Sequence, residues 1–205
     1  MTKLATFAAH FDEVRARGSY VVDGRFETLD GGGHTSSVKA VLARVEPAGT
    51  SHRLVVLRYT EDGRDMTPDA QRRARDAAAR PKDKNDLSIS LPVAAQQQAR
   101  YAFDEVERDQ VDPSRVRIAF VPKVLDDHSI EGSAWVDTRT GAVVSAGFKL
   151  SKTPFLVDFV HITVEFGART PLGPAVSSIS VRGQGGLLFF RRGFRAVATL
   201  SGYTL

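Results

Sequence analysis

Cysteine is absent from the 205 residues. That removes disulfides, thiol nucleophiles and every cysteine-based metal site. Long apolar runs are missing too: Leu54–Leu57 and Leu187–Phe190 stop far short of the ~20 residues that span a bilayer as a helix. Neither sign of charge dominates, since 28 Lys and Arg against 24 Asp and Glu leave a formal charge of +4 spread along the chain. A solvated surface accounts for that balance, and a nucleic-acid partner, which calls for a stronger basic bias, is not expected. Lys3 is followed by only a short amphipathic stretch, so no signal peptide is visible. The chain is then either cytoplasmic or a mature form with a start Met added.

Catalytic patterns are equally scarce. The histidines (His10, His34, His52, His128 and His161) are scattered, and none pairs with another at metal-ligand spacing. Asp126-Asp127-His128 is the nearest thing to a ligand cluster, but it falls in an expected turn, where Asp is favoured on backbone grounds. Gly31-Gly32-Gly33 and Gly183-Gln184-Gly185-Gly186 lack the Lys-Ser/Thr ending of a phosphate loop and read as hairpin turns. No nucleophile elbow is present. A hydrolase would need His128 or His161 to meet a Ser or Asp through the fold alone. No cofactor is expected.

What the chain does have is pattern. Leu4, Phe7, Ala8, Phe11 and Val14 recur at helical period, and Gly18 follows as a stop. From Tyr20 the period changes to two, and three strands through Phe26, Val38–Val45 and Arg53–Tyr59 are joined by Gly and Pro turns. Thr67, as an N-cap, and Pro68 open a short Ala/Arg helix to about residue 80 with little to bury, followed by the charged loop Pro81–Asp86. Residues 61–98 are thus an excursion from a single domain spanning 1–205. Residues 94–108 fit two templates, a strand at Tyr101–Glu107 or a helix from Ala94 to Arg108. Then come a strand at Val116–Pro122, a hairpin turning at Thr138-Arg139-Thr140-Gly141, a long strand at Leu156–Phe166, a loop at Pro171–Pro174, and strands near Val176–Arg182 and Phe194–Leu200. Nine to eleven strands with one or two helices make a mainly β (α+β) antiparallel sheet. Arg191-Arg192 beside Phe189, Phe190 and Phe194 read as a hairpin with solvated arginines, with transient contact to an anionic membrane as the other use.

Phe120-Val121-Pro122-Lys123, Glu131-Gly132-Ser133-Ala134-Trp135-Val136-Asp137 and Gly141 resemble the bacterial outer-membrane lipoprotein-sorting (LolA/LolB/RseB-like) superfamily. Pro154–Val160, Val164-Glu165-Phe166, Pro171–Pro174 and the closing Leu200-Ser201-Gly202-Tyr203 continue the resemblance. It implies a strongly curved antiparallel sheet, a half-barrel wrapped around the N-terminal helix. It implies further a periplasmic or envelope protein without catalysis, its signal peptide removed, that binds a lipid, an acyl chain or a lipidated protein. The alternative is an envelope interaction or sensor module without lipid. Ligand-lining candidates are Phe103, Phe120, Trp135, Phe148, Phe159 and Phe166, with Phe7 and Phe11 above them. Each is equally able to be plain core, and for Trp135 between Ala134 and Val136 core is favoured over cavity lining.

Overall fold

A computed structural model of the chain describes residues 2–48, 51–79, 92–126, 129–153, 156–187 and 190–205. Helix α1 (Thr2–Arg17) leads into a meander of β1 (Ser19–Leu29), β2 (Thr35–Ala48), β3 (Ser51–Glu61) and the two-residue β4 (Arg64–Asp65). Helices α2 (Thr67–Ala78) and α3 (Ala95–Gln98) follow. A second meander runs through β5 (Tyr101–Arg108), β6 (Arg115–Pro122), β7 (Ile130–Asp137), β8 (Val143–Leu150) and β9 (Val157–Glu165). A small hairpin, β10 (Ala168–Thr170) and β11 (Gly173–Ala175), precedes β12 (Ser178–Leu187) and β13 (Phe190–Thr204).

Eleven of these strands form one antiparallel sheet in the order β4-β3-β2-β1-β13-β12-β9-β8-β7-β6-β5, not closed into a barrel. The last strand of the chain joins the two meanders, lying between β1 and β12. The mainly β sheet around an N-terminal helix is therefore as expected.

Helix α1 lies across strand ends because both of its own ends are tied down. The Lys3 ammonium donates to the carbonyls of Arg139 (2.8 Å) and Thr138 (3.4 Å) in the β7–β8 turn. At the other end the ring of His52, at the start of β3, meets the carbonyl of Arg15. Leu4, Phe7 and Ala8 enter a core with Val116, Ile130, Val136, Val143, Phe166, Val176 and Leu200. Each large side chain so buried stabilises by roughly 1.5–3 kcal/mol.

The two sheet edges are managed differently. β4 covers β3 only at Thr60–Glu61, and α2 takes over from there. The Thr67 hydroxyl accepts from the N–H of Tyr59 (2.9 Å), and the Gln71 carboxamide donates to the carbonyl of Val56 (2.9 Å). Thr67 is consequently not the N-cap: that place falls to Met66, and the Asp65 carboxylate accepts the N–H of Thr67 (2.9 Å). At the far edge β5 carries a bulge between Glu105 and Glu107 and exposed charges at 104, 105, 107 and 108. Charge and a bulge both discourage edge-to-edge pairing.

Of the two templates for residues 94–108 the strand is the one adopted, at Tyr101–Arg108 after a single turn of helix at Ala95–Gln98. Two other expectations are corrected. The loop expected at Pro171–Pro174 is confined to Pro171 and Leu172, the tip of a β-hairpin, and Gly173 and Pro174 already belong to β11. Gly183–Gly186 lie inside β12: a Cβ on Gly183 would sit 2.5 Å from the Phe194 ring, and one on Gly185 2.3 Å from the carbonyl of Leu156. These glycines let strands and a ring approach closely. The Pro81–Asp86 loop, Asp127, His128, Phe155 and Phe189 lie outside the described residues.

Candidate functional site

One cross-strand row organises the inner face of the sheet. Phe103, Phe120, Gly132, Phe148, Ile162, Val181, Ala196 and Phe26 stand opposite one another on successive strands from β5 to β1. Phe120 and Phe148 are buried, Ile162, Val181 and Ala196 are half-buried, and Phe26 is 38% exposed, its ring stacked on Phe194 at 5.8 Å. Toward the other end of the strands Phe7 and Phe11 set their rings edge-on against Phe166, at 5.4 and 5.7 Å between centroids. Six of the eight expected lining residues (Phe7, Phe11, Phe103, Phe120, Phe148 and Phe166) therefore belong to the inner side, where Phe7 and Phe11 close on Phe166 between helix and sheet.

Trp135 and Phe159 go to the opposite face. Ala134 and Val136 point inward, 5% and 3% exposed, so the pleat turns Trp135 outward between Arg117 and Ser145. Phe159 is 44% exposed beside Gln184, for the same reason. Neither lines the space beneath α1, and Trp135 is not a core residue.

A concavity lies at the β3 edge, where α2 stands off the sheet and leaves a groove of about 600 Å³. Leu54, 49% exposed, and the buried Val56 form its floor. Ala74 and Ala78 form the wall, and Glu46, Arg53, Gln71 and Arg75 the rim. Arg53 is paired with Glu46 (2.5 Å), whereas Arg75 has no ion pair among the described residues. Small wall, apolar floor and polar rim suit a chain-like apolar guest with one polar end. This groove was missed in the sequence, although Ala70, Ala74 and Ala78 at four-residue spacing mark the smooth side of α2.

Among the described residues no three His, Asp or Glu side chains converge as a metal would require. His161 lies on the outer face, opposite Arg182 and Lys149, with no hydrogen-bond partner among the described residues. The most perturbed carboxylates are structural. Glu27, 6% exposed, accepts from Arg25 (2.7 Å), Arg195 and Thr35 (3.2 Å). Those bonds, Arg25 first, hold it at about 2, below its ordinary 4.5. Asp137 is likewise lowered to about 2, chiefly by Arg139. Burial raises the phenol of Tyr203, whose hydroxyl donates to the carbonyl of Val176 (2.7 Å).

A depressed carboxyl contributes stability that is complete above its unfolded value and lost as pH falls through the folded one. For Glu27 that window runs from 4.5 down to about 2. Acid unfolding of Glu27→Gln should therefore be flatter than wild type in that window, read as denaturation midpoint against pH. Equal slopes would show that the Arg25–Glu27–Arg195 cluster contributes nothing to the dependence.

No family model and no curated protein matches the chain. Solved structures do. A LolA superfamily protein from Nitrosomonas europaea is 13% identical, with 97% of this chain and 93% of that chain covered and a TM-score of 0.37. A putative outer membrane lipoprotein-sorting protein domain from Vibrio parahaemolyticus is 12% identical, with 98% and 92% covered and a TM-score of 0.42. A chain of the Pseudomonas aeruginosa MucA/MucB complex is 13% identical, with 97% and 94% covered and a TM-score of 0.26. The first two carry the name of the superfamily that the motifs between Phe120 and Tyr203 resemble. At these identities and scores the likeness assigns no role to any residue here. No helix among the described residues is long and apolar enough to cross a membrane.

Proposed function

We propose that the protein binds a lipid, an acyl chain or a lipidated polypeptide in the cell envelope without catalysis, seating the chain in the groove between α2 and β3. The observation that carries this is the groove itself: about 600 Å³ with Leu54 exposed on its floor and alanines for a wall. Alanine leaves room for a guest that a larger helix residue would fill. Burying methylene groups there supplies ~0.8 kcal/mol each, so six give about 5 kcal/mol before ordering costs. Arg75 at the rim is placed to meet an anionic end group.

Native mass spectrometry after gentle extraction, with uptake of a fluorescent fatty acid, tests the reading. A co-purified lipid, and uptake that Ala74→Trp weakens by about tenfold, are expected; filling the groove removes the contacts of several methylenes. Bare mass with no uptake would sink it, as would uptake untouched by Ala74→Trp.

The second reading, an envelope interaction or sensor module without lipid, is favoured by the closure of Phe7 and Phe11 on Phe166. That closure leaves the helix–sheet space to the protein's own rings. Under it the bare mass persists, and Ala74→Trp changes capture of a protein partner rather than of fatty acid.

A further inference from the structure

The outer face of the sheet holds an arrangement that stability alone does not favour. Arg182 on β12 stands directly opposite Arg195 on β13 and His161 on β9, with no acid between them. Like charges opposed across strands are destabilising. Arg195 is fixed by Glu27, a carboxylate already engaged by Arg25 and Thr35. Among the described residues Arg182 has no ion pair, and the side-chain amide of Gln184 beside it has no hydrogen bond.

Arg182, Arg195 and Gln184 line a cleft of about 390 Å³ between the Asp30–Gly33 turn and the exposed ring of Phe159. Gly193 keeps its base low, since it raises no side chain there. Asp30 also lines the cleft, but its charge is spent inside the turn. One oxygen accepts the N–H groups of Gly32 and His34 (both 2.9 Å), and the other lies 3.5 Å from the His34 ring. The cleft therefore offers two guanidinium groups, one of them held in place, a free carboxamide and an aromatic wall.

We infer that this cleft is a binding site for a phosphate ester, with Arg182, Arg195 and Gln184 on the phosphate and Phe159 against the organic group. Guanidinium forks match phosphate oxygens two at a time, and a bound dianion or monoanion relieves the Arg182–Arg195 repulsion. The ester is either a free metabolite-sized molecule or a phospholipid headgroup; both present the same oxygens. The site is on the outer face and does not depend on the α2–β3 groove or on its guest.

The test uses the full chain and two probes, glycerol phosphate in solution and vesicles of phosphatidylglycerol against phosphatidylcholine. Amide and arginine side-chain NMR signals of Gly31–Gly33, Gln184, Arg182 and Arg195 should shift together on adding glycerol phosphate, or the protein should float with phosphatidylglycerol vesicles only. Arg182→Gln should weaken either response by about tenfold, the loss of a charge-assisted hydrogen bond. Arg64→Gln, an equal charge change on the exposed β4 edge, should leave it intact. A response in solution assigns a free ester and one confined to vesicles assigns the headgroup; either supports the site. Silence with both probes, or equal weakening by Arg64→Gln, overturns it. Fatty-acid uptake unchanged in Arg182→Gln keeps this result separate from the groove.

Discussion

Phe166→Ala is expected to destabilise the protein by about 3–5 kcal/mol, the range for deleting a buried phenyl ring. The side chain is 8% exposed and receives the edges of both Phe7 and Phe11. Its loss removes transfer free energy, two edge-to-face contacts of about 0.5–1.5 kcal/mol each, and the surface on which the middle of α1 rests. Against a total stability of roughly 5–15 kcal/mol such a change is large. Urea unfolding should show the drop, and trypsin should cut earlier at Arg15 and Arg17, at the end of α1. Phe166→Leu keeps most of the volume and should cost about 1.5 kcal/mol or less. A loss of under about 1 kcal/mol for Phe166→Ala would mean that the ring cluster does not hold the helix.

The same variant bears on function. A cavity lined by Phe7, Phe11 and their neighbours is apolar, and such a cavity stays dry and admits small apolar molecules. If Phe166→Ala gains affinity for a small apolar probe while wild type takes up fatty acid only through the α2–β3 groove, the two spaces are separate. That separation turns on packing, because the concave face is already occupied by the protein's own rings beneath α1.

Local pattern made much of this fold legible. The stripe Leu4–Val14, the stop at Gly18, the three N-terminal strands and the Asp137–Gly141 turn depend on side chains within a few residues of one another. Gly183–Gly186 was not legible, because a glycine run reads as a turn unless the ring of Phe194 and the carbonyl of Leu156 are known to press on it. Thr67 was misplaced for a related reason: its hydroxyl is claimed by the exposed edge of β3, a partner eight residues back and in another element. Inner and outer faces were harder still. Alternation separates Trp135 from Ala134 and Val136, but only the register with β6 and β8 says which set faces α1.

The candidate site divides in the same way. The six phenylalanines on the inner side follow from pattern, since large apolar residues in strands and on an amphipathic helix seek a common core. The groove itself is made by Leu54, Val56 and alanines of α2, and no local pattern says that α2 docks along β3. The Arg182–Arg195 pairing depends on the register of β12 with β13, which a twelve-residue span of sequence between them leaves open.

Gly141→Ala should cost about 2–4 kcal/mol, and the cost should fall on the attachment of α1 rather than on the hairpin alone. Two separate penalties combine. Gly141 has φ +75°, a left-handed conformation that costs an L-residue roughly 1–2 kcal/mol. The added Cβ would also stand 2.3 Å from the Cβ of Lys3, 2.7 Å from its carbonyl carbon and 2.9 Å from its carbonyl oxygen. Two of these three atoms are backbone, so a side-chain movement cannot relieve the clash, and the first turn of α1 must lift away. Lifting it breaks the bonds from the Lys3 ammonium to Thr138 and Arg139. Lys3→Ala alone should cost only about 0.5–1.5 kcal/mol, as those bonds are exposed. In the Gly141→Ala background the same change should cost almost nothing further, a coupling that a double-mutant cycle measures directly. Full additivity would mean that α1 stays seated and that only backbone strain at residue 141 had been added.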